Sequence, residues 1–245
     1  MSASGEGTST SARAVSNSSE RMIQLTRQGT QVTADPEELT ELAGAFARQH
    51  YLRLPSLIEP GLLDQVGREL EQVSFGEHFH AGGTEQKLLN MRITGLLNFL
   101  ANNRTLFQAI QTVTSCGVIG CFVGRVYRMA PTREHYGLWH DDSVHGRLIA
   151  LSINLSPDKY SGGVLQLRER SSRRIIAEIP NTGWGDCVIF RIADSLEHRI
   201  TNVSGKFPKI AFAGWFKSRP DYFTELMTNE KGFEGELQSR SQDHA

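Results

Sequence analysis

Between residues 118 and 217 short β-branched and aromatic runs alternate with turn-forming residues, and this pattern constrains the fold more than any other feature of the chain. The runs cover residues 118–129, 136–140, 148–155, 163–167, 174–179, 186–192, 198–203 and 208–217. Turn signals rich in Gly, Pro, Asn and Ser fall between them at 154–157, 161–163, 180–185 and 204–205. Eight short strands at such even spacing predict a two-sheet β sandwich or jelly roll.

The part before this region reads differently. Residues 22–33 read as a strand or extended arm. Asp35 before Pro36 looks like an N-cap with proline in the first turn, and Leu39, Leu42, Ala43 and Phe46 then recur at helical spacing. Residues 51–54 alternate like a short strand that Pro55 ends. Glu59 and Pro60 open a second helix, with Leu62, Leu63, Val66 and Leu70 on one face. The glycine-containing stretch 75–84 reads as a mobile loop. Residues 93–113 read as largely helical, with Leu96, Leu97, Phe99, Leu100 and Leu106 in the core. The expected fold class is therefore mainly β with flanking helices, the amino-terminal helices packing against one sheet.

Of the 245 residues 39% are hydrophobic, enough for a sizeable core, and 26 basic residues face 27 acidic ones for a net charge of −1. That balance argues against a dedicated nucleic-acid or membrane-surface binder. Cys116, Cys121 and Cys187 are odd in number and form no C-x-x-C pair, which points to a reducing compartment rather than a disulfide scaffold. No apolar run approaches the roughly 20 residues that span a bilayer. Residues 1–20, mostly Ser, Thr, Gly and Ala, read as a disordered tail with no apolar secretory core. The expectation is a cytoplasmic protein with one domain over residues 21–230, a helical layer at about 35–115, a β core at about 116–217, and a polar tail at 231–245. Oligomeric state is not legible.

Histidine is the informative residue type. His50, His78, His80, His135 and His244 stand in no arrangement that demands function. His140 differs, because in Trp139-His-Asp-Asp142 strand alternation would turn His140 and Asp142 to one face and Asp141 away. His198, at the start of a later strand, could bring a second imidazole. Two histidines and one carboxylate on one face of a metal leave positions open opposite, as non-haem Fe(II) oxygenases require. No Cys is placed to close a tetrahedral structural zinc site. His145 competes for a ligand role, and H-x-D alone is a common chance pair.

The order of several motifs adds to this. His50-Tyr-Leu-Arg-Leu-Pro55, His140-Asp-Asp142, Tyr160-Ser-Gly-Gly-Val-Leu165, Gly185-Asp-Cys-Val-Ile-Phe190, His198-Arg-Ile-Thr-Asn-Val203 and the run from Lys209 to Trp215-Phe216 together resemble the 2-oxoglutarate/Fe(II)-dependent dioxygenases. The likeness is to the prolyl-hydroxylase-like and phytanoyl-CoA-hydroxylase-like branches and covers roughly residues 49–216. It implies a double-stranded β-helix (jelly roll) with Fe(II) held by His140, Asp142 and His198. It also implies that 2-oxoglutarate and O2 are consumed to oxidise a C–H bond, giving succinate and CO2.

By the same resemblance Lys209 falls where the family places the cation for the distal carboxylate of 2-oxoglutarate, with Lys206 as its competitor. Ala211 and Ala213 would leave room beside it, although the hydroxyl often found two residues after the cation is replaced by Ala211. Tyr127 resembles a tyrosine that some members set against 2-oxoglutarate, and Arg125 shares its face as a further candidate. Asp142 disfavours halogenation, which in related enzymes replaces the carboxylate. Gly162-Gly163 reads as a tight turn, Arg168 to Arg174 as a solvated hairpin tip or an anionic-substrate contact, and Trp139 and Trp215 as core or pocket wall. Asp141 and Arg199 are candidate supports for the neighbouring ligands. The pocket would be lined by the 75–84 loop, the segment after Met129 and the hairpin near Arg168, and a small molecule, amino-acid-like or a natural-product intermediate, is the expected substrate. Two alternatives remain at this stage: a cupin-like metalloenzyme that does not use 2-oxoglutarate, and a catalytically silent β-barrel.

Overall fold

The computed structural model describes residues 22–143 and 146–219. The expectations for the two tails and for His145 and His244 lie outside these residues. A short hairpin of β1 (Ile23–Thr26) and β2 (Gly29–Val32) leads into α1 (Pro36–Gln49), β3 (Tyr51–Leu54) and α2 (Pro60–Leu70). A second hairpin, β4 (Phe75–His80) and β5 (Gly83–Leu88), precedes α3 (Met91–Ala101) and α4 (Arg104–Thr114). The rest is β: β6 (Cys121–Met129), β7 (Tyr136–Gly137), β8 (Arg147–Asn154), β9 (Ser161–Gly162), β10 (Leu165–Glu169), β11 (Ile175–Ile179), β12 (Cys187–Arg191), β13 (Leu196–Ile200), β14 (Val203–Ser204) and β15 (Lys209–Lys217). None of the helices among the described residues is long and apolar enough to cross a membrane.

The major sheet is antiparallel and runs β3-β12-β8-β15-β6-β5-β4, with β7 joined to β5. Facing it are the shorter sheets β11-β10-β13 and β14-β9. Together they make the jelly roll that the strand spacing predicts, in the double-stranded β-helix form that the resemblance implies. The central strands read as nearly continuous apolar runs because both faces are covered. Ile149, Ile153, Ile189, Phe212 and Phe216 face a core shared with the helices, while Ala150, Val188 and Phe190 pack on Leu165, Leu167 and Ile179 of the smaller sheet.

Local chemistry sets the helical layer. The Asp35 carboxylate accepts from the backbone N–H groups of Glu37 and Glu38, and the Glu38 carboxylate accepts from the Asp35 N–H, a complete capping box at 2.9 Å each. Asp35→Ala is expected to cost about 1 kcal/mol, seen as a lower urea midpoint with an unchanged slope. α3 is tied to the sheet by two asparagines one turn apart. The buried Asn98 amide exchanges hydrogen bonds with the Gly124 backbone at 2.7 and 2.8 Å, and Asn102 does the same with Phe122 at 2.8 and 2.9 Å.

Two expectations need correction, and the largely helical reading of 93–113 holds with a break. The stretch 75–84 is no loop but most of the β4–β5 hairpin, in register from Phe75↔Leu88 to His80↔Gly83, which extends the major sheet past β6. The glycines suggested flexibility, yet they serve close approach. The stretch 93–113 is two helices, because Asn102 leaves helical geometry and Asn103 caps α4 by accepting from Thr105 and Leu106. Phe99 is 76% exposed and outside the core, since it falls on the face of α3 turned from the sheet.

Candidate functional site

The site forms where β7 and the segment after it meet β13. His140 and His198 form a lone antiparallel bridge. The His140 N–H donates to the His198 carbonyl at 3.1 Å, and the His198 N–H donates to the His140 carbonyl at 2.8 Å. Backbone pairing thus sets the two rings side by side, centroids 4.2 Å apart. Asp142 arrives by a different route from the one strand alternation suggests. The chain leaves the ladder after His140, and Asp142 takes a left-handed conformation at φ 57°, which aspartate tolerates better than most residues. Its Oδ2 then lies 3.4 Å from His198 Nε2 and 3.8 Å from His140 Nε2. The three candidate ligand atoms all fall within 4.8 Å of one another.

These groups suit a metal. The His140 Nδ1–H donates to the Leu138 carbonyl at 2.8 Å, which leaves Nε2 as the lone-pair nitrogen facing the point of convergence. Burial, reinforced by the charge of His198, lowers the His140 pKa, so the ring offers a neutral ligand. Burial alone would raise the Asp142 pKa, but the hydrogen bond and charge of His198, with Arg147 and His140, hold it well below the usual carboxylate range. Arg147 donates to Oδ1 at 2.7 Å and the Trp215 indole N–H to Oδ2 at 2.8 Å. The Arg147 guanidinium also lies 3.7 Å over the Trp215 ring, so each fixes the other. Gly82 makes room: a Cβ there would lie 2.6 Å from Cε1 of the His140 ring.

The site opens into a cavity of about 520 Å³ between the major sheet and the β11-β10-β13 sheet. Lys209, Ala211, Ala213 and Trp215 of β15 and Arg125 and Tyr127 of β6 line it. Lys209 is 6% exposed, and its ammonium donates to the Gly163 carbonyl at 2.8 Å. No ion pair holds it among the described residues; burial pulls its pKa down to about 8, offset in part by the charge of Glu85. Gly162 and Gly163, at φ 72° and 60°, form the turn that brings this carbonyl in. Tyr127, opposite Ala211, is half-buried, and desolvation pushes its phenol up. Lys206 is exposed, lies over the Phe207 ring and does not line the cavity.

The supports for the site differ from those expected. Asp141 pairs with Arg170 at 2.7 Å, and Arg199 donates to Gln166. Arg147 and Trp215 hold Asp142 instead. Trp139 does not line the cavity, and its ring lies between the guanidinium groups of Arg168 and Arg199 at 4.2 and 4.6 Å. The hairpin near Arg168 is likewise absent from the lining, because Arg168 is paired with Glu197 at 2.6 Å.

His78 and His80, given no role from sequence, do line the cavity, and the His80 ring meets His140 edge-on at 6.5 Å. The signal was their spacing of two in Phe75-Gly-Glu-His-Phe-His80, which a strand turns to one face. His135 is structural: it accepts from the Ala130 N–H at 2.8 Å and meets Glu77 at 3.3 Å. His50 caps α1 in a left-handed conformation.

Residues 124–217 match the sequence profile of the 2OG-Fe(II) oxygenase superfamily. No curated protein matches the chain significantly. Among solved structures the fold is similar to a prolyl-4-hydroxylase of Pseudomonas putida (TM-score 0.54, 14% identity, 74% of this chain and 99% of that one). It is also similar to an oxidoreductase of the 2OG-Fe(II) oxygenase family from Burkholderia pseudomallei (TM-score 0.57, 11% identity, 80% and 96%). A third is the epimerase SnoN in complex with Fe3+, alpha ketoglutarate and nogalamycin RO (TM-score 0.52, 13% identity, 75% and 84%). The profile match spans β6 to β15 and includes His140, Asp142 and His198, so this part of the chain is similar to the 2OG-Fe(II) oxygenase superfamily, and its three candidate ligands could hold iron.

Proposed function

We propose that the protein hydroxylates a C–H bond of a small-molecule, amino-acid-like or natural-product substrate, with Fe(II) held by His140, Asp142 and His198. The observation that carries this reading is the convergence of two imidazole nitrogens and one carboxylate oxygen within 4.8 Å, at a cavity that also holds the buried Lys209. When bound, Fe(II) with 2-oxoglutarate and O2 supplies the oxidising power for C–H cleavage and yields succinate and CO2.

The chain's own residues do the rest. Lys209 offers a buried ammonium to the distal carboxylate of 2-oxoglutarate, with Tyr127 beside it, and in that low-dielectric setting the pairing is stronger than in water. Val188, Phe190, Leu165 and Ile200 form an apolar wall that keeps water from the reacting carbon. Arg147 and Trp215 hold the Asp142 carboxylate so that its free lone pairs face the metal. Trp215→Phe is accordingly expected to weaken Fe(II) affinity about tenfold, measured by competition with a chelator, with the fold retained.

The test is a turnover assay under labelled dioxygen with 2-oxoglutarate and a pool of amino acids and acylated amino acids. Fe(II)-dependent succinate together with a product that gains one labelled oxygen atom is the expected result. A folded, Fe(II)-loaded protein that forms no succinate from 2-oxoglutarate contradicts the reading.

A further inference from the structure

The cavity has two lanes. Along β15 and β6 the register pairs Lys209 with Met129, Ala211 with Tyr127, Ala213 with Arg125 and Trp215 with Val123. The lane over β15 runs from Lys209 to Trp215, which bonds Asp142, and holds the small side chains of Ala211 and Ala213. The second lane lies over β6, β5 and β4. There the His78 ring stacks on Tyr127 at 5.8 Å and on His80 at 5.2 Å, and Arg125 lines the cavity two residues before Tyr127 on β6.

Arg125 is the unexplained group in this second lane. It is 8% exposed, lines the cavity, and its buried Nη2 has no hydrogen-bond partner among the described residues. The three carboxylates that line the cavity are engaged elsewhere. Asp142 is held by Arg147 at 2.7 Å, Asp141 by Arg170 at 2.7 Å, and Glu85 lies 3.4 Å from His80. His78 adds a buried Nδ1 without a partner, and Lys87 lines the cavity from β5. The Arg125 charge bears on His78, which burial in the first place pulls down to a pKa of about 4, so that ring is a neutral hydrogen-bonding group. An unpaired guanidinium buried in a protein is costly, and an anion in the cavity would remove that cost.

We propose that Arg125 and His78 form an anion subsite that takes a carboxylate of the substrate, separate from the place of 2-oxoglutarate at Lys209. The inference rests on the preceding reading of Lys209. Arg125 lies one pleat along β15 from the Trp215 level, on the order of 7 Å. The oxidised carbon would therefore stand a few bonds from the carboxylate, which makes the substrate class a compact carboxylic acid.

The test uses protein loaded with Fe(II) and 2-oxoglutarate without oxygen, titrated calorimetrically with matched acids and amides: phenylpropionate against phenylpropionamide, and N-acetylleucine against N-acetylleucinamide. The acid of at least one pair is expected to bind about tenfold tighter than its amide. In Arg125→Met the preference falls below about twofold, 2-oxoglutarate binds within about threefold of wild type, and the melting temperature stays level or rises because an unpaired buried charge is gone. Acids that bind no tighter than amides, including no binding of either, overturn the proposal. So does a preference that survives in Arg125→Met. A drop in 2-oxoglutarate affinity in Arg125→Met like that in Lys209→Ala would hand the guanidinium to the co-substrate, and a fall in melting temperature would make it structural. Wild-type protein that binds no 2-oxoglutarate would instead sink the reading beneath it.

Discussion

Replacing His198 by alanine is expected to cut 2-oxoglutarate turnover by more than about 100-fold and leave the protein folded. Partners that merely orient a ligand are worth about 10–100-fold in metal affinity or activity, and a direct ligand exceeds them. The fold is expected to survive because β13 is held by backbone pairing to β10 and by the His140 bridge, none of which needs the imidazole. The ring does pack on Phe190 at 4.8 Å, so a stability loss of about 1 kcal/mol accompanies the change. Succinate release and the urea midpoint check the two halves separately. Full turnover in the variant would remove His198 from the metal site.

The second large effect belongs to Lys209. A charge-assisted hydrogen bond contributes about 1.5–3 kcal/mol, and each 1.4 kcal/mol is tenfold, so Lys209→Ala should weaken 2-oxoglutarate binding about 10- to 100-fold. At saturating 2-oxoglutarate kcat should fall much less. The sign of the pH dependence follows from the lowered ammonium pKa of about 8. Below it Lys209 is charged and binds a carboxylate; as pH rises through it, the proton is lost and wild-type affinity falls. That part of the pH profile should vanish in Lys209→Ala. Calorimetry across pH 7 to 9 measures both, and an affinity unchanged by the substitution would confine Lys209 to its bond with the Gly163 carbonyl.

Much of this was legible before the structure, and the reasons differ by element. The central strands announce themselves because both faces are buried, so β8, β12 and β15 appear as apolar runs ended by turns. Asp35 and Pro36 are a local cap, read directly from four adjacent residues. The β4–β5 hairpin was missed because its pattern, Phe75-Gly-Glu-His-Phe-His80, is half polar. Its two histidines face a cavity, which period alone cannot tell from solvent. The break between α3 and α4 depends on asparagines that reach the β6 backbone, a tertiary contact invisible in sequence.

The site shows the same division. His140, Asp142 and His198 stand out by type and order, yet strand alternation is not what joins His140 to Asp142; the chain uses a left-handed residue instead. The supports were misassigned to Asp141 and Arg199, the sequence neighbours. The residues that hold Asp142 are Arg147, five positions on, and Trp215, from a strand 73 residues away. Sequence adjacency says little about what surrounds a ligand, because folding rather than chain order fills that shell.

The most direct measurement of the central claim is an anaerobic titration of the apo-protein, first with Fe(II) and then with 2-oxoglutarate, followed in the visible range. A metal-to-ligand charge-transfer band that requires both additions and is lost in His198→Ala is the predicted result. Folded protein that binds Fe(II) and 2-oxoglutarate but gives no band, or a band of full strength in His198→Ala, would contradict the assignment of the metal to His140, Asp142 and His198.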